Sequence, residues 1–219
     1  CYMDKHEVTN AEYKKFMDEG GYTNSALWPD KLIFNGKTIK FENAMKKFVD
    51  GTNMTGPSTW EAGYFPDGQA DFPVSGISWY EAKAFAKWLN KSLPSVYHWN
   101  RAAGTKSSAS IIPKSNFNGK STLAVGSTGG VSSFGNYDMA GNVREWCENK
   151  SIEDTRVILG GGFDDLTYMF TDFYAQGPWM RGSTNGFRCM KEIGNSNQSA
   201  YEEISLPFRD YYTEEPVTD

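Results

Sequence analysis

Residues 73–90 read PVSGISWYEAKAFAKWLN. Ser78-Trp79-Tyr80-Glu81 is a capping box, in which the hydroxyl accepts from the third helical N–H and the glutamate reaches back to the N–H of the cap. Behind it Trp79, Ala82, Phe85, Ala86 and Leu89 recur at three- and four-residue spacing, the stripe of an amphipathic helix. The same device opens a first helix at Thr9-Asn10-Ala11-Glu12, with Tyr13 and Phe16 on one face and a stop at Gly20-Gly21. A third, shorter helix is expected from about Ser95 to Ala103, ending at Gly104.

Outward from these helices the pattern breaks. From about Gly20 to Val74, Gly, Pro, Asn and Asp punctuate scattered Trp, Phe and Tyr, which predicts short strands and long ordered loops pinned by aromatic rings. From Gly104 to Phe187 the chain is again rich in turns, with a surface loop at Gly126 to Gly130. Val157-Ile158-Leu159 and Phe187-Arg188-Cys189-Met190 read as strands, and His6 as a strand residue beside the first helix. After Ile193 the text turns polar and loses any period, so residues 194–219 read as a linker or arm.

The chain has 219 residues, 39% apolar and 22% charged, with 22 glycines; that is one globular domain with an appended tail. A net charge of −5 without a basic block argues against a nucleic-acid surface. No run of about 18 apolar residues offers a membrane span, and the first residues lack the order of a signal peptide. His6 and His98 are the two histidines, so a multi-histidine metal centre would need both of them. Cys1, Cys147 and Cys189 form no CxxC and are an odd number, which leaves the compartment open.

Six segments occur in an ordered series: HEVTNAEYKKFM from His6, the stretch quoted above, LPSVYHWNRAAG from Leu93, FGNYDMAGNVREW from Phe134, GGGF from Gly160 and NGFRC from Asn185. Together, over about residues 2 to 191, they resemble the formylglycine-generating-enzyme or sulfatase-modifying-factor (FGE-sulfatase) domain. The resemblance implies an α+β, C-type-lectin-like fold with two main helices around a small twisted antiparallel sheet, and loops elsewhere. It implies a domain over residues 1–193, with a family strand expected before Cys1, and an arm over 194–219 leading to a following domain.

What the resemblance implies for sites is mixed. The family's calcium motif matches Asp138 and Glu145 as side-chain ligands and Gly141 and Val143 as carbonyl ligands, hard oxygen donors of the kind calcium selects. A second calcium site of the family matches only at Asn116 and Phe117. The copper-binding cysteines of the oxidases fall on Asp165 and Phe170, neither of which can be a thiolate, so no copper is expected. A copper pair rebuilt from Cys147 and Cys189 is disfavoured, because these lie in other segments. The three-histidine site of the family's iron-dependent branch cannot be reproduced here.

The segment that held the oxidase site instead carries Asp164, Asp165 and Asp172 beside Tyr168, Phe170, Phe173, Tyr174, Trp179 and Arg181. Carboxylates could bind a cation or transfer protons, and the rings could take a peptide, a glycan or a neighbouring domain, or pack as plain core. Arg181 and Arg188 read as structural donors to carbonyls or aspartates. LPFRDYYTEEPVTD resembles the connector of bacterial serine/threonine-kinase proteins, placing the domain in a multidomain bacterial protein, with an extracytoplasmic, membrane-anchored position as one expectation. The leading expectation is a non-catalytic binding or sensory module. An enzyme using a site without cysteine, and a structural or ligand-binding envelope protein, stay open beside it.

Overall fold

In the computed structural model, which describes residues 1–193, the helices are α1 (Asn10–Asp18), α2 (Phe41–Met45), α3 (Trp79–Trp88), α4 (Val96–Ala103) and α5 (Ser108–Ile111). The strands are β1 (Tyr2–Met3), β2 (Leu32–Phe34), β3 (Lys37–Ile39), β4 (Arg144–Lys150), β5 (Arg156–Leu159), β6 (Tyr174–Gln176), β7 (Asn185–Gly186) and β8 (Met190–Lys191). The arm expected over 194–219 lies outside the described residues.

Both capping boxes form, with Thr9 and Ser78 accepting from the third helical N–H and Glu12 and Glu81 reaching back. The α3 stripe is buried at Trp79, Ala82, Phe85 and Ala86, but Leu89 is 38% exposed because α3 ends one residue before it. The third helix starts at its Ser95 cap and closes on Gly104, whose φ of 61° puts it in the left-handed region that glycine tolerates.

The sheets are small. One has the order β6-β5-β4-β7, with β4 and β7 parallel and the other pairs antiparallel; β1 pairs β8 and β2 pairs β3. Three expectations need correction. Phe187 to Cys189 form no strand, since they run buried between β7 and β8, and His6 sits in a bend rather than a strand. The longest strand, β4, falls inside the stretch from Gly104 to Phe187 that reads in sequence as rich in turns.

Two cores result. The first packs α1 and α3 against the loops before Val74: Tyr13 stacks on Phe85 at 5.5 Å, and Trp28 on Phe48 at 5.0 Å. The second packs α4 against β4 and β5 through Trp99, Cys147, Val157, Leu159 and Phe170. The aromatic rings also hold the loops by hydrogen bonds, Trp28 Nε1 donating to Gly21 O and Trp60 Nε1 to Asn10 Oδ1. Among the described residues no helix is long and apolar enough to cross a membrane.

The two caps differ in depth, which sets an expectation for stability. Ser78 is fully buried, whereas Thr9 and Glu12 bond each other at the surface. Thr9→Ala should cost about 1 kcal/mol and Ser78→Ala about 2 kcal/mol, since the second leaves a buried N–H without its partner. Urea unfolding midpoints of the two variants check the order.

Candidate functional site

Two arrangements draw together the residues singled out in the sequence, and both hang on β4. Alternation along the strand sends Arg144 toward one side and Glu145 into the interior.

On the first side, β5 runs into the glycine turn 160–162. Gly160 and Gly161 have φ of 97° and 73°, and a Cβ on Gly161 would lie 2.7 Å from the Phe117 ring, so the turn admits only glycine there. The turn delivers Asp165 to Arg144. Arg144 Nε donates to Asp165 Oδ2 at 2.7 Å and its Nη2 to Oδ1, and the Gly162 N–H donates to Oδ2 at 2.7 Å. The Tyr174 ring lies 4.8 Å beneath the guanidinium. Burial works against the charge on Arg144, yet the Asp165 carboxylate holds its pKa above the ordinary value.

The other candidates of this segment part into two sets. Phe170 is 1% exposed and packs edge-on to Trp99, inside the second core. Arg181 turns inward, donating to Glu81, to Val49 O and to Gly56 O. Trp179 is half-buried, stacked on Phe48 at 5.1 Å with its indole N–H on Ile33 O. Asp164, Tyr168 and Asp172 are exposed, and Leu166 and Met180 join them at 57% and 54% exposure. A cleft of about 170 Å³ borders the turn, lined by Trp60, Gln69, Ser75, Lys120, Phe163 and Ser183 among others.

On the interior side lies the loop 138–143. Asp138, Gly141 and Asn142 all have positive φ, which curls this loop tightly against the chain at Asn116. Glu145 is fully buried: its Oε2 accepts from Trp99 Nε1 and Arg188 Nε, each at 2.7 Å, and its Oε1 from Arg188 Nη2 at 2.6 Å. Arg188 spends its other donors on the carbonyls of Asp4, Lys5 and Tyr137. Asp138 accepts from Thr128 Oγ1 and from the Gly126 N–H. Among the described residues, no hydrogen bond reaches the buried carbonyls of Gly141 and Val143.

Sequence reading missed Glu7, which no periodicity marks. It is 2% exposed; its Oε1 accepts from Asn142 Nδ2 at 3.0 Å, while its Oε2 has no partner. Burial first, and then the Asp138 charge, push the Glu7 carboxyl well above the usual carboxylate range. Burial likewise raises the Cys147 and Cys189 thiols, which sit in different cores, so neither favours the thiolate that copper needs. Among the described residues no three His, Cys, Asp or Glu side chains group closely enough to hold a metal ion by themselves.

Comparison with known proteins agrees with this architecture. The family model described as "Sulfatase-modifying factor enzyme 1-like domain" matches residues 1–193. The serine/threonine-protein kinase Pkn1 of Chlamydia trachomatis is 29% identical over 223 residues, covering 88% of this chain and 33% of the kinase. The chain thus spans about a third of the length of the kinase relatives it matches. The formylglycine-generating enzyme of Bos taurus is 31% identical over 107 residues, covering 45% of this chain and 29% of that enzyme. Among solved structures, PvdO from Pseudomonas aeruginosa superposes with a TM-score of 0.61 at 18% identity, covering 87% of this chain and 80% of PvdO, a likeness of fold.

The Arg144–Asp165 pair is about 15% and 14% exposed at its side chains, shielded enough for its loss to register. Asp165→Asn should destabilise the protein by about 1–3 kcal/mol, because Arg144 keeps its charge and loses its counter-ion. The check is the unfolding midpoint at neutral pH, with Asp164→Asn, an exposed neighbour, staying near wild type.

Proposed function

Since the chain belongs to the sulfatase-modifying factor enzyme 1-like family, we propose that it serves as a non-catalytic binding module within a larger, kinase-linked protein. The observation that carries this reading is the fate of the two positions where the family resemblance puts copper-binding cysteines. One holds Asp165, locked to Arg144, and the other holds Phe170, sealed in the core. Thiolate chemistry has no foothold at either. An alternative acid–base role for Asp164, Asp165 and Asp172 is disfavoured by the same geometry, since Asp165 spends both oxygens on Arg144 and Gly162.

What remains at that place suits recognition. Leu166, Tyr168 and Met180 are exposed, and the carboxylates of Asp164 and Asp172 flank them. Rings and apolar chains give contact area at low entropic cost, and the acidic residues favour a partner with positive charge. A basic peptide segment carrying an apolar side chain is the partner class this face fits; glycans and neighbouring domains fit its charge less well. The neighbouring cleft adds the hydroxyl groups of Ser75 and Ser183 and the carboxamide of Gln69 for main-chain bonding.

The reading includes calcium at the loop 138–143. Asp138 supplies a carboxylate and Gly141 and Val143 main-chain carbonyls, whereas Glu145, expected as a further ligand, gives both oxygens to Arg188 and Trp99. Asp138 and the two carbonyls fit the ion in donor type, and water would complete the set in place of Glu145. Bound there, calcium would act as a structural clamp between the loop and β4.

Two measurements test the proposal. With copper(I) and cysteine-containing peptides, the protein should show no thiol-dependent oxygen uptake; uptake above the copper-only blank would overturn the reading. In a peptide-library selection, basic apolar sequences should be enriched, and Leu166→Ser with Tyr168→Ser should abolish their binding while Tyr2→Ser, an exposed residue of β1, leaves it intact.

A further inference from the structure

The four-stranded sheet ends on β6, which pairs with β5 through Arg156↔Gln176, Val157↔Ala175 and Ile158↔Tyr174. Among the described residues no strand lies on its other side, and no hydrogen bond from any element but β5 reaches the main chain of Tyr174, Ala175 or Gln176. In an antiparallel pair, alternate residues turn their N–H and C=O away from the partner strand. Either Ala175, or Tyr174 and Gln176, therefore offers a main-chain donor and acceptor at the open edge. The chain leading into this edge is exposed at Thr171, Asp172, Phe173 and Tyr174.

Edge strands are usually guarded by lysine, by proline, by a bulge or by a covering element. Strand β6 is short, which is one guard, but it lacks these others. No Lys or Arg occurs from Phe163 to Met180, Pro178 falls beyond the strand, and the register with β5 runs without a shift. One face of the strand is fastened: the Tyr174 ring lies under Arg144, and Gln176 Oε1 accepts from Asn185 Nδ2 at 2.8 Å. These contacts hold β6 against β4 and β7 and leave its edge without a partner.

We propose that β6 takes an extended basic peptide as an added strand, with the peptide main chain bonded to the open edge and its cationic side chains answering Asp164 and Asp172. The inference rests on the binding-module reading above and adds the manner of docking to it. Charge chooses the occupant. Arg144 is matched by Asp165, whereas Asp164 and Asp172 make no ion pair among the described residues. Asp172 lies two residues before Tyr174, and Asp164 acts electrostatically on the Arg144 that covers the Tyr174 ring. This excess of negative charge favours a cationic strand. Two other occupants carry the wrong sign. A second copy paired edge to edge would bring its own Asp164 and Asp172, and residues 194–219 hold six acidic residues against one basic.

The test uses the 219-residue chain and a blocked heptapeptide of alternating lysine and valine, with binding read by titration calorimetry. Two further versions carry methyl groups on the main-chain nitrogens, one at every valine and the other at every lysine. Methylation keeps side chains and charge and removes alternate main-chain donors. Because alternate residues of an added strand face the same edge, one methylated version should lose about tenfold or more in affinity, and the other should stay within about threefold of the parent. Hydrogen exchange over residues 173–177 should slow when the parent peptide binds. An equal response of both methylated versions, whether none or a loss, overturns strand addition and leaves a face that binds through side chains. No binding of the parent peptide overturns both the basic-peptide reading and the added strand. A peptide of residues 201–219 should bind about tenfold more weakly than the parent. Equal or tighter binding of it, or dimerisation of the protein alone in sedimentation at rising concentration, overturns the choice of a basic occupant.

Discussion

The buried pair of Glu145 and Arg188 is the joint on which this structure turns. Through it β4, the Trp99 indole of α4, the N-terminal carbonyls of Asp4 and Lys5, and Tyr137 O converge on two side chains. A fold with strands of two to seven residues cannot align distant segments by sheet ladders alone. Its backbone groups have to be satisfied elsewhere, and a guanidinium with five donors in a fixed fork does this for three separate carbonyls at once. Removing either partner would strand the other charge in the interior, which costs about 3–5 kcal/mol.

A second pair repeats the device in the other core. Glu81, fully buried beneath its own helix cap, accepts from Tyr22 Oη at 2.6 Å and from Arg181, and Arg181 continues to the carbonyls of Val49 and Gly56. Thus one carboxylate closes α3, anchors the long loop after α1 and ties residue 181 of the C-terminal part to it. The aromatic rings supply most of the burial, and the two arginines set which loop lies where. Burial energy is non-directional and tolerates several arrangements of similar rings, whereas a fork of N–H groups accepts few.

This division explains what the sequence disclosed. Helices α1, α3 and α4 were legible to within a residue or two, because capping residues and apolar stripes are local signals, whereas the short α2 and α5 were not read, α2 having no side-chain cap. The loops between Gly20 and Val74 were legible only as loops, since Arg181 is more than 100 residues from the carbonyls it holds. Strand β4 was hidden because its residues mix Arg, Glu, Trp and Cys without a clean apolar alternation, and because its parallel partner β7 lies about 40 residues away. Of the candidate site, Asp165 and Phe170 were found through family resemblance, but no spacing told that one would be paired and the other sealed. Glu7 gave no signal, because a lone acidic residue before a capping box reads as a surface residue until Asn142 is brought to it.

The segment after the glycine turn 160–162 carries Asp165 and Phe170 at the positions where the family resemblance puts cysteines. A turn that presents two thiolates must leave them exposed to metal and substrate, and such openings are paid for elsewhere in the fold. Here the same turn, still requiring glycine at 161, delivers a carboxylate to Arg144 and a ring to Trp99. Both side chains close contacts inward, so the glycine turn fastens the segment 163–181 to β4 and to the second core. With its base fastened in this way, the outer edge of the segment is free to vary in side chain without disturbing the core. The exposed residues Leu166, Tyr168 and Met180 occupy that edge.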